Sequence, residues 1–219
     1  MLPAILLAAA AAGAVFPAPG TYRYSASLGA QRIGEWTASV KSSGENTEID
    51  ESSSASFAGM QLGARASLVL GPDLAPTKYG GSYRISGQNA SVSVTLTPAS
   101  AAIVGAQASQ PQQVTLAAST RHFVVIEPGL LAGLFALPAQ LAAWKETAVT
   151  WITPATAQAQ LLTIGAAADS VRPPGVPPLD VVISTASPIA ATIWYDPATL
   201  VPDQVIVPSQ NAVLTRERR

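Results

Sequence analysis

From Thr21 onward the chain alternates. Tyr22, Tyr24, Ala26 and Leu28 fall on one side of an extended segment, and Arg23, Ser25 and Ser27 on the other. A half-buried β-strand has this period of two. Gly29-Ala30 reads as a turn, and Gln31 to Lys41 supplies a partner strand. Gly34, Trp36, Ala38 and Val40 share one of its faces, with Ile33, Glu35, Thr37 and Ser39 opposite. The two runs predict an antiparallel hairpin. Further strands are predicted over 61–70, 76–85, 91–97, 147–153, 156–164, 179–186, 189–195, 201–207 and 212–215, with short pieces at 102–106, 113–116 and 123–126. Turn residues punctuate them at spacings of about ten, as in an all-β sheet or barrel. Thr47 to Phe57 stands apart, because it is polar, Ser-rich and has Ile49 as its one large aliphatic residue. It predicts an edge strand, where charge discourages pairing with other chains.

One stretch breaks the alternation. Glu127 to Trp144, EPGLLAGLFALPAQLAAW, predicts the single helix of the mature chain. Pro128 suits a first helical position, and Leu130, Leu131, Leu134, Phe135, Leu137 and Leu141 recur at mixed spacings of three and four. Pro138 is expected to kink or split it. The remaining face is Ala and Gly, whereas a surface helix carries charge there. The helix is therefore expected to be covered. The predicted fold is mainly β: a large all-β sheet or barrel with a short apolar helical segment laid against it.

The N-terminal run Ile5 to Val15 has the length of a signal-peptide core and is too short to span a bilayer. Ala12-Gly13-Ala14 fits a small-x-small cleavage site, although no Lys or Arg precedes the run. A buried N-terminal helix is the alternative, and Pro17 and Pro19 oppose it. The expected organisation is a signal peptide over 1–18 and a single half-barrel β domain over 19–219. Localisation would then be periplasmic or secreted, in a bacterium. No later run reaches the ~18 apolar residues of a transmembrane helix.

Composition narrows the function. Charged residues make up 11% of the 219 and the net charge is −1, so no basic stripe for nucleic acid is present. With no cysteine, disulfides and thiolate metal sites are excluded. His122 is the one histidine, with no Gly-x-Ser-x-Gly motif anywhere. A hydrogen-bonded structural role suits a lone histidine at a strand end better than catalysis. Glu45, Glu48, Asp50 and Glu51 cluster, and a solvated edge accounts for them better than a metal or glycosidase site. No catalytic residue, metal ligand or cofactor motif is assigned.

The tryptophans carry more. Trp36 and Trp151 lie on predicted strands, as does Trp194, and Trp144 ends the helix. Core packing explains each singly. Together with the helix leucines they are placed to line an apolar cavity between sheet and helix.

The order of elements resembles the half-open β-barrel superfamily of periplasmic lipoprotein carriers, LolA and LolB among them, and related exported proteins. The residues that carry the resemblance are Tyr22-Arg23-Tyr24, Arg32-Ile33-Gly34-Glu35-Trp36 and Pro76-Thr77-Lys78-Tyr79. The helical insertion before Thr153-Pro154, Ile193-Trp194-Tyr195-Asp196 and Leu200 to Val205 complete it. The resemblance implies one strongly curved antiparallel sheet, a half-open barrel, wrapped around the short apolar helical segment, with an apolar groove on its concave side, where carriers hold acyl chains. Their partner-docking residues have no counterpart here, so the sorting role is not implied. The leading expectation is a non-enzymatic exported protein that binds a lipid or other apolar ligand through Trp36, Leu131, Leu134, Phe135, Trp151 and Trp194. The alternatives are an envelope scaffold with a filled core that binds another protein, and a hydrolase that uses His122 or the acidic cluster.

Overall fold

The computed structural model describes residues 16–105, 111–115, 117, 119–127, 129–166, 172–185 and 190–218. The leader run Ile5 to Val15 and Pro128 lie outside the described residues, as do parts of the predicted strands at 102–106, 113–116, 179–186 and 189–195.

The first half of the chain is a meander of β1 (Gly20–Leu28), β2 (Gln31–Ser43), β3 (Asn46–Phe57), β4 (Met60–Leu70), β5 (Pro76–Ile85), β6 (Gln88–Leu96), β7 (Ser100–Gly105) and β8 (Gln112–Thr115). Tight turns drive it. Ala58-Gly59 and Ser86-Gly87 each place two residues at positive φ, the geometry that matches strand twist in a two-residue hairpin. The second half contains β9 (Phe123–Val125), the helix α1 (Ala132–Trp144), β10 (Ala148–Thr153), β11 (Gln158–Ala166), β12 (Val181–Thr185), β13 (Ala191–Tyr195), β14 (Pro202–Val207) and β15 (Ala212–Arg216). The two halves join through β1 and β15, giving one sheet in the order β8-β7-β6-β5-β4-β3-β2-β1-β15-β14-β13-β12-β11-β10-β9. Its ends overlap rather than close: β9 lies against β5, and the 154–156 turn lies against β6 and β7.

Every pair is antiparallel except β9–β10. Parallel neighbours need a crossover, and α1 is that crossover. The resemblance implies an antiparallel sheet throughout. The β9–α1–β10 unit is an addition, and it is what threads the helix through the interior. Ala132 to Gln140 are buried without a break, so α1 is covered on all sides until its last turn, where Ala142 and Ala143 reach solvent. Gly133 allows the close crossing over β9, since a Cβ there would stand 1.9 Å from the Val125 carbonyl oxygen. Pro138 does not split the helix. Gln140 Nε2 and Trp144 Nε1 fasten its far end to the carbonyls of Leu74 and Asp73, at 3.0 and 2.7 Å.

Two expectations are corrected. Thr47–Phe57 is no edge. As β3 it pairs with β2 on one side and β4 on the other. The actual edges are β8, whose Gln112 and Gln113 are exposed, and β9, whose three residues are buried beneath β5. The helix also starts at Ala132 rather than near Glu127, because Gly129 lies at φ +85°, outside the right-handed helical region.

Candidate functional site

A bulge in β2 shapes the apolar site. Ala26 pairs with Gly34 but Ser27 with Arg32, which leaves Ile33 as the extra residue. This turns Ile33 to the same interior as Trp36, against the strict alternation of the sequence reading. The two side chains help wall a cavity of about 160 Å³, with Leu62, Ile126, Leu130, Leu134, Val205, Val207 and Leu214. Ser27, Glu127 and Gln210 are its polar members. Trp36 is pinned by Nε1 donating to the Gly129 carbonyl at 3.2 Å. An apolar void of ~150 Å³ stays dry and takes a molecule the size of benzene, whereas complete small-molecule sites run to roughly 300–1,000 Å³.

Next to the cavity, through Leu62, lies an exposed lip. Phe57 pairs with Met60, Ala55 with Leu62, and Leu62 with Ile85. Since Leu62 walls the cavity, all of these side chains stand on the inner face of the sheet. Phe57, Met60 and Ile85 are 40%, 54% and 51% exposed. They form an apolar rim on two hairpin tips beyond the helix.

The six side chains expected to form a groove are dispersed. Trp36 and Leu134 share the cavity wall. Leu131 and Phe135 are fully buried in the packed core, with Phe135 against the Tyr22 ring. Trp151 is buried too, its Nε1 donating to the Ile126 carbonyl at 2.6 Å. Trp194 lies on the opposite face of β13 from Ile193, beneath the Arg172 guanidinium. The sequence pattern missed Leu62, Ile126, Val205 and Val207, whose parity on their strands was available, and Ile33, which only the bulge reveals.

Beside the cavity sits a buried polar cluster. Glu51 was grouped with the solvated acids, and this is a correction: it shares the inward parity of Ile49 and is 3% exposed. Its carboxylate accepts from the backbone N–H of Leu131, at 2.8 Å to each oxygen, and of Ala132, at 2.6 Å. It thereby caps α1, which has no side-chain cap of its own. Burial pushes Glu51 up to about 7, against the pull of those two N–H donors. Glu127 is also raised by burial, opposed by the Ala155 N–H at 2.8 Å and the Tyr83 hydroxyl. Tyr83 and Tyr79 hydroxyls meet at 3.3 Å. Burial raises both. Ser53 Oγ, two residues from Glu51, is buried without a partner. Both Glu51 oxygens are engaged by backbone, so this carboxylate organises the helix rather than facing a ligand.

His122 Nδ1 is 3.1 Å from Glu146 Oε1, and its ring stacks on Trp144 at 4.3 Å. It lines neither the cavity nor the hollows of the outer sheet face. Among the described residues no three His, Asp or Glu side chains are grouped to hold a metal ion, and no helix is long and apolar enough to cross a membrane.

No family model matches the chain, and no curated protein matches it. A solved structure does: a β-barrel-like protein of the domain of unknown function DUF1849 from Brucella abortus. It has a TM-score of 0.52 over 93% of this chain and 96% of its own, at 9% identity. At that identity the similarity is one of fold, and it establishes a β-barrel-like architecture without assigning the chain to the lipoprotein carriers.

Proposed function

We propose that the chain is a non-enzymatic, exported protein of the bacterial envelope that binds an apolar ligand, with the ligand's end in the cavity beside Trp36. The observation that supports this most is that Leu62 walls the apolar cavity and also pairs with Ile85 of the exposed lip formed with Phe57 and Met60. A cavity of about 160 Å³ holds one end of a chain, and the rest would lie over the lip. Each side chain the ligand buries contributes roughly 1.5–3 kcal/mol, without a precise polar constellation. The resemblance to carriers of acyl chains supports the same ligand class.

The test is quenching of Trp36 fluorescence by a bromine-labelled fatty alcohol, with Trp36→Phe to assign the signal. Saturable quenching is expected, and Leu62→Trp, which fills the cavity, should abolish it while the fold persists. Absence of quenching, together with no apolar ligand retained in native mass spectrometry, would overturn the proposal. A second reading, an envelope scaffold that binds a protein, is favoured by how fully α1 fills the interior. It calls for a defined partner whose binding is unchanged by Leu62→Trp.

A further inference from the structure

The outward face of β2–β6 carries a different surface. Register aligns Glu35, Ser54, Gly63, Arg84 and Asn89 in one row across five strands, and Thr37, Ser52, Arg65, Ser82 and Ser91 in the next. These rows floor a hollow of about 670 Å³. It shares wall residues with two others, of about 550 and 770 Å³. Together they make a trough along β3 from Ser56 to Asp50, roughly 20 Å long at the usual rise per residue.

Glycine keeps this trough open. Gly80 has an ordinary φ, and a Cβ there would meet nothing within 4 Å; at Gly63 it would meet only the Ser53 carbonyl, at 4.0 Å. Neither residue answers a need of the backbone or of packing, and glycine weakens a strand interior. A ligand lying close to the backbone is a recognised reason for glycine in such a place. Charge supplies a second, separate observation. Arg65 and Arg84 stand diagonally on neighbouring strands, and neither has an ion-pair partner among the described residues. The acids nearby are already engaged, Glu35 by Arg32 at 2.9 Å and Asp50 by Lys41. The chain's net charge of −1 gives no general attraction for polyanions, so this pair is a local feature.

We infer that the trough binds a strand of acidic polysaccharide, its carboxylates on Arg65 and Arg84 and its hydroxyls on Ser52, Ser54, Ser82 and Asn89. Guanidinium forks match carboxylates. Hydroxyl and amide side chains donate and accept, as a polyol requires. The trough's length suits a polymer. The side chains of the two rows, from Glu35 and Thr37 to Asn89 and Ser91, include no apolar group to insert into a bilayer. An added peptide strand has no free edge here, because β2–β6 are paired on both sides.

The experiment is affinity electrophoresis of the full chain in gels containing polygalacturonate, neutral dextran or polyphosphate. Retardation by polygalacturonate alone is expected, weakening as salt is added. Arg65→Gln and Arg84→Gln should each reduce affinity about tenfold. Gly80→Thr, which fills the trough without changing its charge and suits a strand, should block binding with the thermal melt intact. Val207→Trp, which fills the cavity from β14 and lines none of the three hollows, should bind polygalacturonate normally, so this inference and the apolar-ligand proposal fail separately. Lack of polygalacturonate binding overturns the inference. So does binding that survives both arginine variants, or equal binding to polyphosphate that survives Gly80→Thr.

Discussion

Glu51 is the residue on which the interior turns. Its ordinary range as a carboxyl lies near 4.5, and in the folded chain it is pushed up to about 7. Between those values the unfolded chain has lost the proton that the folded chain still holds. Stability from this group is therefore greatest below about pH 4.5, declines as pH rises towards 7 and is level beyond. Glu127, raised by burial, works in the same direction. Urea denaturation across pH 4–8 should show this decline, and Glu51→Gln should make it shallower, Glu127 and Asp180, both raised by burial, supplying the rest. Glu51→Ala leaves the N–H groups of Leu131 and Ala132 buried without an acceptor, so it should cost about 1–3 kcal/mol, read at pH 7 in the same assay.

At the scale of elements, α1 and β3 define each other. The helix has no acid in its first turn and no capping side chain, and β3 provides the missing carboxylate. For that reason β3 looks like an edge in sequence. Of its inward positions Ile49, Glu51, Ser53 and Ala55, only the first is a large aliphatic, because the second must accept hydrogen bonds from the helix. Hydrophobicity alone does not distinguish an acid facing water from one facing a helix terminus. The alternation of Ile49 and Glu51 did carry the signal. The wide apolar stripe of α1, by contrast, was legible at once, since no surface helix lacks charge all round. The β2 bulge was not, because strict alternation sends Ile33 outward and only pairing with β1 shows the extra residue. Gly133 tests the helix crossing: Gly133→Ala forces α1 off β9 and should cost about 2–3 kcal/mol in urea unfolding.

At the scale of the molecule, a mainly β architecture with one covered helix followed from strand spacing and one apolar segment, and its curvature from the resemblance to half-open barrels. Strand order did not, since nothing in a local pattern shows that Tyr24 pairs with Arg216. That pairing unites the two meanders across almost the whole chain. Contacts of such separation slow folding towards milliseconds to seconds. A variant ending at Gln210, without β15, leaves β1 and β14 each with one open edge and should give a broad, non-cooperative urea transition.

The two ends of the sheet slide over one another with no shared ladder, β9 upon β5 and the 154–156 turn upon β6 and β7. A sealed barrel has a circumference set by its strand count. This one resembles a rolled cuff, lapped without a ladder and tied across its interior by the hydrogen bonds of Trp36, Glu51, Gln140 and Trp144. Loosening the lap breaks no strand pairing, so on the proposed function the room beside Trp36 would grow around a ligand without loss of a ladder. Hydrogen exchange should register such growth first in the 154–156 turn when a long-chain alcohol is added, with β3 and β4 unmoved.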